Sequence, residues 1–219
     1  MQNQNSLLNP AFLFRFSLPC GYRQPVWTKT GAQLPAEFAV RSFTEWEGRQ
    51  PFADLRLAWS EEGLAFAVNV VGKKQPPWCR DSKIDDSDGL QLWFDTRNTQ
   101  NIHRAGRYCH RFAFLPLGAG PRQDQPLAAL LAINRARESP REIERQALQV
   151  RSSIRVDGYL LEGFIPATAL TGFNPAEHPA LGFTYCVADR ELGLQTFTVG
   201  TEFPFDEDPS VWGTLELSK

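Results

Sequence analysis

The chain has 219 residues, 23 basic and 25 acidic side chains, a formal net charge of -2 and 42% hydrophobic residues. Charge this balanced argues against a nucleic-acid binder, which would carry a basic excess or stripe, and no apolar stretch approaches the ~20 residues of a membrane span. The length suits one large all-β domain that buries roughly 70% of its extended-chain surface and needs no staples.

The first ten residues lack a basic n-region, and the apolar run at residues 11–16 is short and carries Arg15. It therefore fails as a signal peptide, and a cytoplasmic protein is expected. Short alternating runs separated by Gly, Pro and Asp turns then dominate, with little helical periodicity. The first expected strand covers residues 12–18, followed by a Pro- and aromatic-rich connection through Trp27, Pro35, Trp46 and Pro51. A hairpin is expected next, with residues 54–59 and 64–71 joined by the turn Ser60 to Gly63. In it Leu55, Leu57 and Trp59 alternate against Leu64, Phe66, Val68 and Val70.

An acid-rich loop leads into a strand at residues 90–95. There Leu90, Leu92 and Phe94 share one face, while Gln91, Trp93 and Asp95 share the other. Residues 108–115 form the next strand. Residues 116–146, rich in Pro, Arg and Gln, read as an irregular insertion with a short helix or strand around 127–133. Strands resume at 148–156 and 159–165 about an Asp157-Gly158 turn, a helical turn follows at 166–170, and strands at 180–188, 195–200 and 212–217 close the fold. Roughly nine or ten strands without a sustained helix predict a single antiparallel β-sandwich of jelly-roll type.

Catalytic signatures are missing. There is no nucleophile elbow or glycine-rich phosphate loop, and Cys79 has no evident partner base. Glu162 and Asp189 are the carboxylates that could serve a glycosidase, but nothing in the sequence brings them together. Cys20, Cys79, Cys109 and Cys186 are too widely spaced for zinc knuckles and read as buried thiols. His103, His110 and His178 are scattered, and His110, in step with Phe112 and Phe114, reads as a core histidine. Asp81, Asp85, Asp86 and Asp88 are a candidate calcium loop, although the EF-hand spacing fails. No cofactor is otherwise expected.

Aromatic side chains make the stronger case. Trp78 follows Pro76 and Pro77 in a loop, where strand alternation does not explain it. An indole on a rigid loop is a platform on which a sugar or base can stack, and the competing reading folds it over the sheet edge as a lid. Trp59, Trp93 and Trp212 lie in expected strands and read as packing residues.

Several ordered segments of residues 52–219 resemble the family 9 carbohydrate-binding modules and the wider DOMON-like sandwiches. They are Asp88-Gly-Leu-Gln-Leu-Trp-Phe-Asp95, Arg111-Phe-Ala-Phe114, Gly158-Tyr-Leu-Leu-Glu-Gly-Phe-Ile-Pro166, Gly182-Phe-Thr-Tyr-Cys-Val-Ala-Asp189 and Asp208-Pro-Ser-Val-Trp-Gly213. Sugar-binding members of that family clamp a terminal sugar between two Trp rings and bond its hydroxyls with a Glu, an Arg and amide side chains. By resemblance, Trp78 is the first clamp residue, Gln91 takes the Glu position and Arg111 the Arg position. Cys186 and Ala188 replace a Gln and an Asn, and Phe203 or Phe205 stands in for the second clamp. The resemblance implies a non-catalytic protein with a saccharide partner. The rival expectation is a protein-interaction sandwich that has lost its sugar and uses the 116–146 insertion as its contact surface. A haem-binding relative of the DOMON sandwiches would need its iron ligands from the three histidines, because Met1 is the only methionine.

Overall fold

The computed structural model describes residues 16–43, 50–198 and 200–219. Its strands are β1 (Ser17–Tyr22), β2 (Ala53–Ser60), β3 (Gly63–Val71), β4 (Gly89–Asp95), β5 (Cys109–Ala119) and β6 (Gln125–Leu131). They continue as β7 (Gln149–Arg155), β8 (Gly158–Pro166), β9 (Ala180–Asp189), β10 (Gly193–Thr196) and β11 (Gly213–Ser218). Among the described residues helical structure is confined to short 3-10 segments, of which Ala167–Ala169 falls in the expected helical turn. Among the described residues no helix is long and apolar enough to cross a membrane.

The strands follow the order β6-β5-β4-β9-β11-β1-β2-β3-β8-β7, with β10 added to β9. The hydrogen bonding runs through one continuous sheet, consistent with the expected β-sandwich but not wholly antiparallel. The cause is β1, which runs parallel to both β11, pairing Ser17 with Thr214, and β2, pairing Gly21 with Ala58. All other strand pairings are antiparallel. The sheet folds back on itself, so that Phe66 of β3 and Phe114 of β5 meet edge to face at 4.6 Å between ring centres. Ser152 of β7 likewise donates to the Pro116 carbonyl on β5 at 2.6 Å.

The hairpin forms as expected, and alternation sends Leu55, Leu57, Phe66 and Val68 into one core with Leu90, Leu92, Phe94, Phe112, Phe183 and Tyr185. Burying each such side chain contributes on the order of 1.5–3 kcal/mol. The strand expected at 12–18 meets β1 only at its end, and its earlier residues lie outside those described, as does Trp46. Much of the expected insertion is regular: β5 runs on to Ala119, and β6 pairs with it from Ala119 opposite Gln125 to Arg111 opposite Leu131.

The outer face of the β2–β3–β8 half is covered by the loop after β1. Val26, Ala32 and Leu34 pack there on Ala58, Ala65 and Phe164, and Gln33 N–H donates to the Glu162 carboxylate at 2.9 Å. The outer face of β5, β4 and β9 carries the candidate site.

Candidate functional site

The site begins at Gly89. Its backbone sits at φ +157°, and a Cβ there would stand 2.4 Å from the Phe114 carbonyl oxygen, so β4 can enter the sheet only with glycine at that point. From there alternation places Gln91 and Trp93 on the outer face. Gln91 lies between Ala113 of β5 and Cys186 of β9, and Trp93 between Arg111 and Thr184. The opposite wall is the segment 201–206, whose backbone is held by two indoles. Trp93 Nε1 donates to the Asp206 carbonyl at 3.2 Å, and Trp212 Nε1 to the Phe205 carbonyl at 2.6 Å. The Phe205 ring meets the Trp93 ring edge-on at 5.6 Å.

Between these walls is a hollow of about 730 Å³. Gln91, Trp93, Arg111, Cys186 and Ala188 line it from the sheet, Phe203 and Phe205 from the loop, and Asp85, Leu194, Glu202 and Asp206 also border it. Four residues singled out in the sequence, Gln91, Arg111, Phe203 and Phe205, therefore meet around one space. Trp93, read from the sequence as packing, belongs there too. Its position in step with Gln91 was the signal, although only 1% of it is exposed. No residue of 116–146 lines the hollow, although Ile133 packs in one cluster with Trp93 and Phe205.

Arg111 is nearly spent on its own chain. Its Nε and Nη2 donate to Gln91 Oε1 at 3.1 and 2.7 Å, Nη1 reaches the Ala132 carbonyl at 3.4 Å, and Nη2 also pairs with Asp85. The guanidinium lies 5.4 Å from the Trp93 ring centre. Gln91 is 7% exposed, and its Nε2 has no hydrogen-bond partner among the described residues. The nitrogen is not among the buried unpartnered atoms, so it is a solvent-reached donor with capacity to spare at the wall of the cavity. The Cys186 thiol is a poor nucleophile, because burial pushes its pKa up to about 12.

Trp78 does not line the hollow. Its ring lies beneath Arg190, whose guanidinium carbon is 3.3 Å from the ring centre, with Arg80 at 5.7 Å. Asp88 explains the arrangement: its carboxylate accepts the backbone N–H of Trp78 at 3.0 Å and of Arg190 at 2.9 Å, joining the two segments. Arg190 lies in the turn just after β9, two residues past Ala188, and neither it nor Trp78 lines the hollow. The indole is thus half-buried with Arg190 over its ring, between the platform and lid readings of the loop.

The acidic loop does not gather its carboxylates. Asp81 pairs with Arg145 at 2.8 Å, Asp85 with Arg111, and Asp88 turns inward to Lys73 at 3.2 Å. Lys73 Nζ also meets Asp189 at 2.5 Å. Burial works against this ammonium, but Asp189 and Asp88 together outweigh it and hold its pKa above the ordinary lysine range. Among the described residues no group of three His, Cys, Asp or Glu side chains could hold a metal ion. Asp189 is therefore occupied by Lys73 while Glu162 accepts from Gln33 under the loop after β1, and the two do not form a facing pair. His110 is fully buried, its Nε2 accepting the Thr171 N–H at 2.9 Å, and burial lowers its pKa to about 4.

No family model matches the chain, and no curated protein matches it. Solved structures do. A family 9 carbohydrate-binding module from Caldicellulosiruptor kristjanssonii in complex with cellotriose aligns with a TM-score of 0.62 at 13% identity, over 93% of this chain and 94% of the other. The same module in complex with glucose aligns at 0.60 and 13% identity, over 93% and 96%. A proposed carbohydrate-binding protein from Bacteroides uniformis aligns at 0.50 and 14% identity, over 83% and 84%. The chain thus has the fold of a family 9 carbohydrate-binding module.

Proposed function

We propose that the protein binds a saccharide in the hollow over β5, β4 and β9, and does so without catalysis. The observation that carries this reading is the convergence of Gln91, Trp93, Arg111, Phe203 and Phe205 on one open space in a fold shared with modules solved with cellotriose and glucose. A sugar ring has apolar C–H faces and a rim of hydroxyls. The half-buried Phe203 offers a surface for the former, and the Gln91 amide, with the one Arg111 N–H left over from its own bonds, offers donors for the latter. Trp78 extends the site past Ala188 for longer chains, once Arg190 leaves its ring. That no residue of 116–146 lines the hollow favours a saccharide there over a protein contact made by that segment. The reading invokes no cofactor or metal.

Calorimetric titration with glucose, cellotriose and unrelated oligosaccharides tests it, comparing wild type with Gln91→Ala. Loss of a buried hydrogen bond weakens binding about tenfold. Failure of every saccharide to bind, or equal binding by the Gln91→Ala variant, would contradict the proposal.

A further inference from the structure

We infer that the hollow selects a saccharide that carries a protonated amine, such as a 2-amino-2-deoxy sugar, and disfavours uronic acids. This rests on the saccharide reading above and names the class of sugar. The hollow is bordered by three carboxylates, Asp85, Glu202 and Asp206, against one cation, Arg111. Asp85 is taken up by Arg111 itself. Glu202 and Asp206 are exposed and have no ion-pair partner among the described residues, so their field reaches the space a ligand would fill.

Neither Arg135 nor Arg190 lines the hollow. Arg135 pairs with Glu207 at 3.8 Å, and Arg190 lies over Trp78. A second feature shows that the space is built for a polar ligand and not only acidic. Gln91, more than nine-tenths buried, lines it with an amide donor that has no partner among the described residues. A hydroxyl can accept from that amide while an ammonium meets the two carboxylates, and an anionic sugar would meet repulsion at the same rim.

The test titrates the full-length protein with four trisaccharides in mildly acidic, low-salt buffer: the glucosamine trimer, its N-acetylated form, cellotriose and trigalacturonate. Trilysine serves as a charge control. The glucosamine trimer is expected to bind about tenfold tighter than cellotriose, and trigalacturonate more weakly than either. The preference shrinks at high salt, where exposed charges are screened. In the double variant Glu202→Gln/Asp206→Asn the ratio of amine to neutral affinity falls toward one. Equal binding of the charged and neutral trimers, or an unchanged ratio in the variant, overturns the amine inference and leaves the saccharide site standing. Trilysine binding as tightly as the amino sugar also overturns it. If none of the four sugars binds, the inference and the saccharide reading fall together.

Discussion

Arg111 reaches diagonally from β5 to Gln91 on β4, placing two nitrogens within 3.1 and 2.7 Å of one carboxamide oxygen. A guanidinium only donates, so the atom it meets must be the oxygen, and the Gln91 NH₂ is left unclaimed within the lining of the hollow. Arg111 thus orients the group that would bind, besides being a donor itself.

Replacing Arg111 with lysine keeps the charge but removes the fork that fixes Gln91. Arg111→Lys is expected to weaken cellotriose binding about tenfold while costing on the order of 1 kcal/mol in stability. Calorimetry and chemical denaturation read the two effects separately. Unchanged affinity would mean that Gln91 is oriented by something else.

Arg190 covers Trp78, so Arg190→Ala should expose that indole to a soluble quencher and raise affinity for cellotriose a fewfold, since a stacked ring contributes on the order of 0.5–1.5 kcal/mol. The gain should vanish in Arg190→Ala/Trp78→Ala. A gain that survives loss of the indole would show that Trp78 is no platform.

Lys73 stands buried between Asp88 and Asp189. Lys73→Met strands two carboxylates, and unfolding free energy should fall by about 3–5 kcal/mol. Adding Asp189→Asn should recover part of that loss. A Lys73→Met variant as stable as wild type would show that the triad is not charged as drawn.

His110 makes stability depend on pH. Its pKa falls from 6.5 to about 4 on burial, so between those values the unfolded chain binds a proton that the folded one refuses. The stability contribution is full above pH 6.5 and is lost as pH falls through the folded value, about 3 kcal/mol in all. His110→Gln should flatten this slope in denaturation curves measured across the same window. An unaltered slope would assign it to other groups.

The parts of the fold legible in the sequence were those fixed by local pattern. The β2–β3 hairpin followed from strict alternation around a glycine turn, and β4 from Leu90, Leu92 and Phe94 opposing Gln91 and Trp93. β6 was obscured because Leu127, Ala128 and Ala129 are buried in succession, so no alternation marks the strand. The joining of the two halves into one sheet was hidden for another reason. Ser17 pairs with Thr214 and Gly21 with Ala58, contacts between distant parts of the chain that leave no periodic trace.

The site divides similarly. Alternation alone puts Gln91 on the outer face of β4, whereas Arg111 and the alternatives Phe203 or Phe205 follow only from the resemblance. The cover over Trp78 depends on Asp88 binding the backbone of Arg190, a residue far along the chain whose own surroundings read as an ordinary turn. Trp93 was discounted because strand aromatics usually pack. It does pack, and its exposed sliver still borders the hollow.

The most direct measurement follows the side-chain resonances of the labelled protein by nuclear magnetic resonance during titration with cellotriose. Saturable shifts at the Gln91 carboxamide and the Trp93 indole N–H, with Trp59 and Trp27 unmoved, are the predicted result. Shifts that spare Gln91 and Trp93, or no shifts at saturating saccharide, would contradict binding in this hollow.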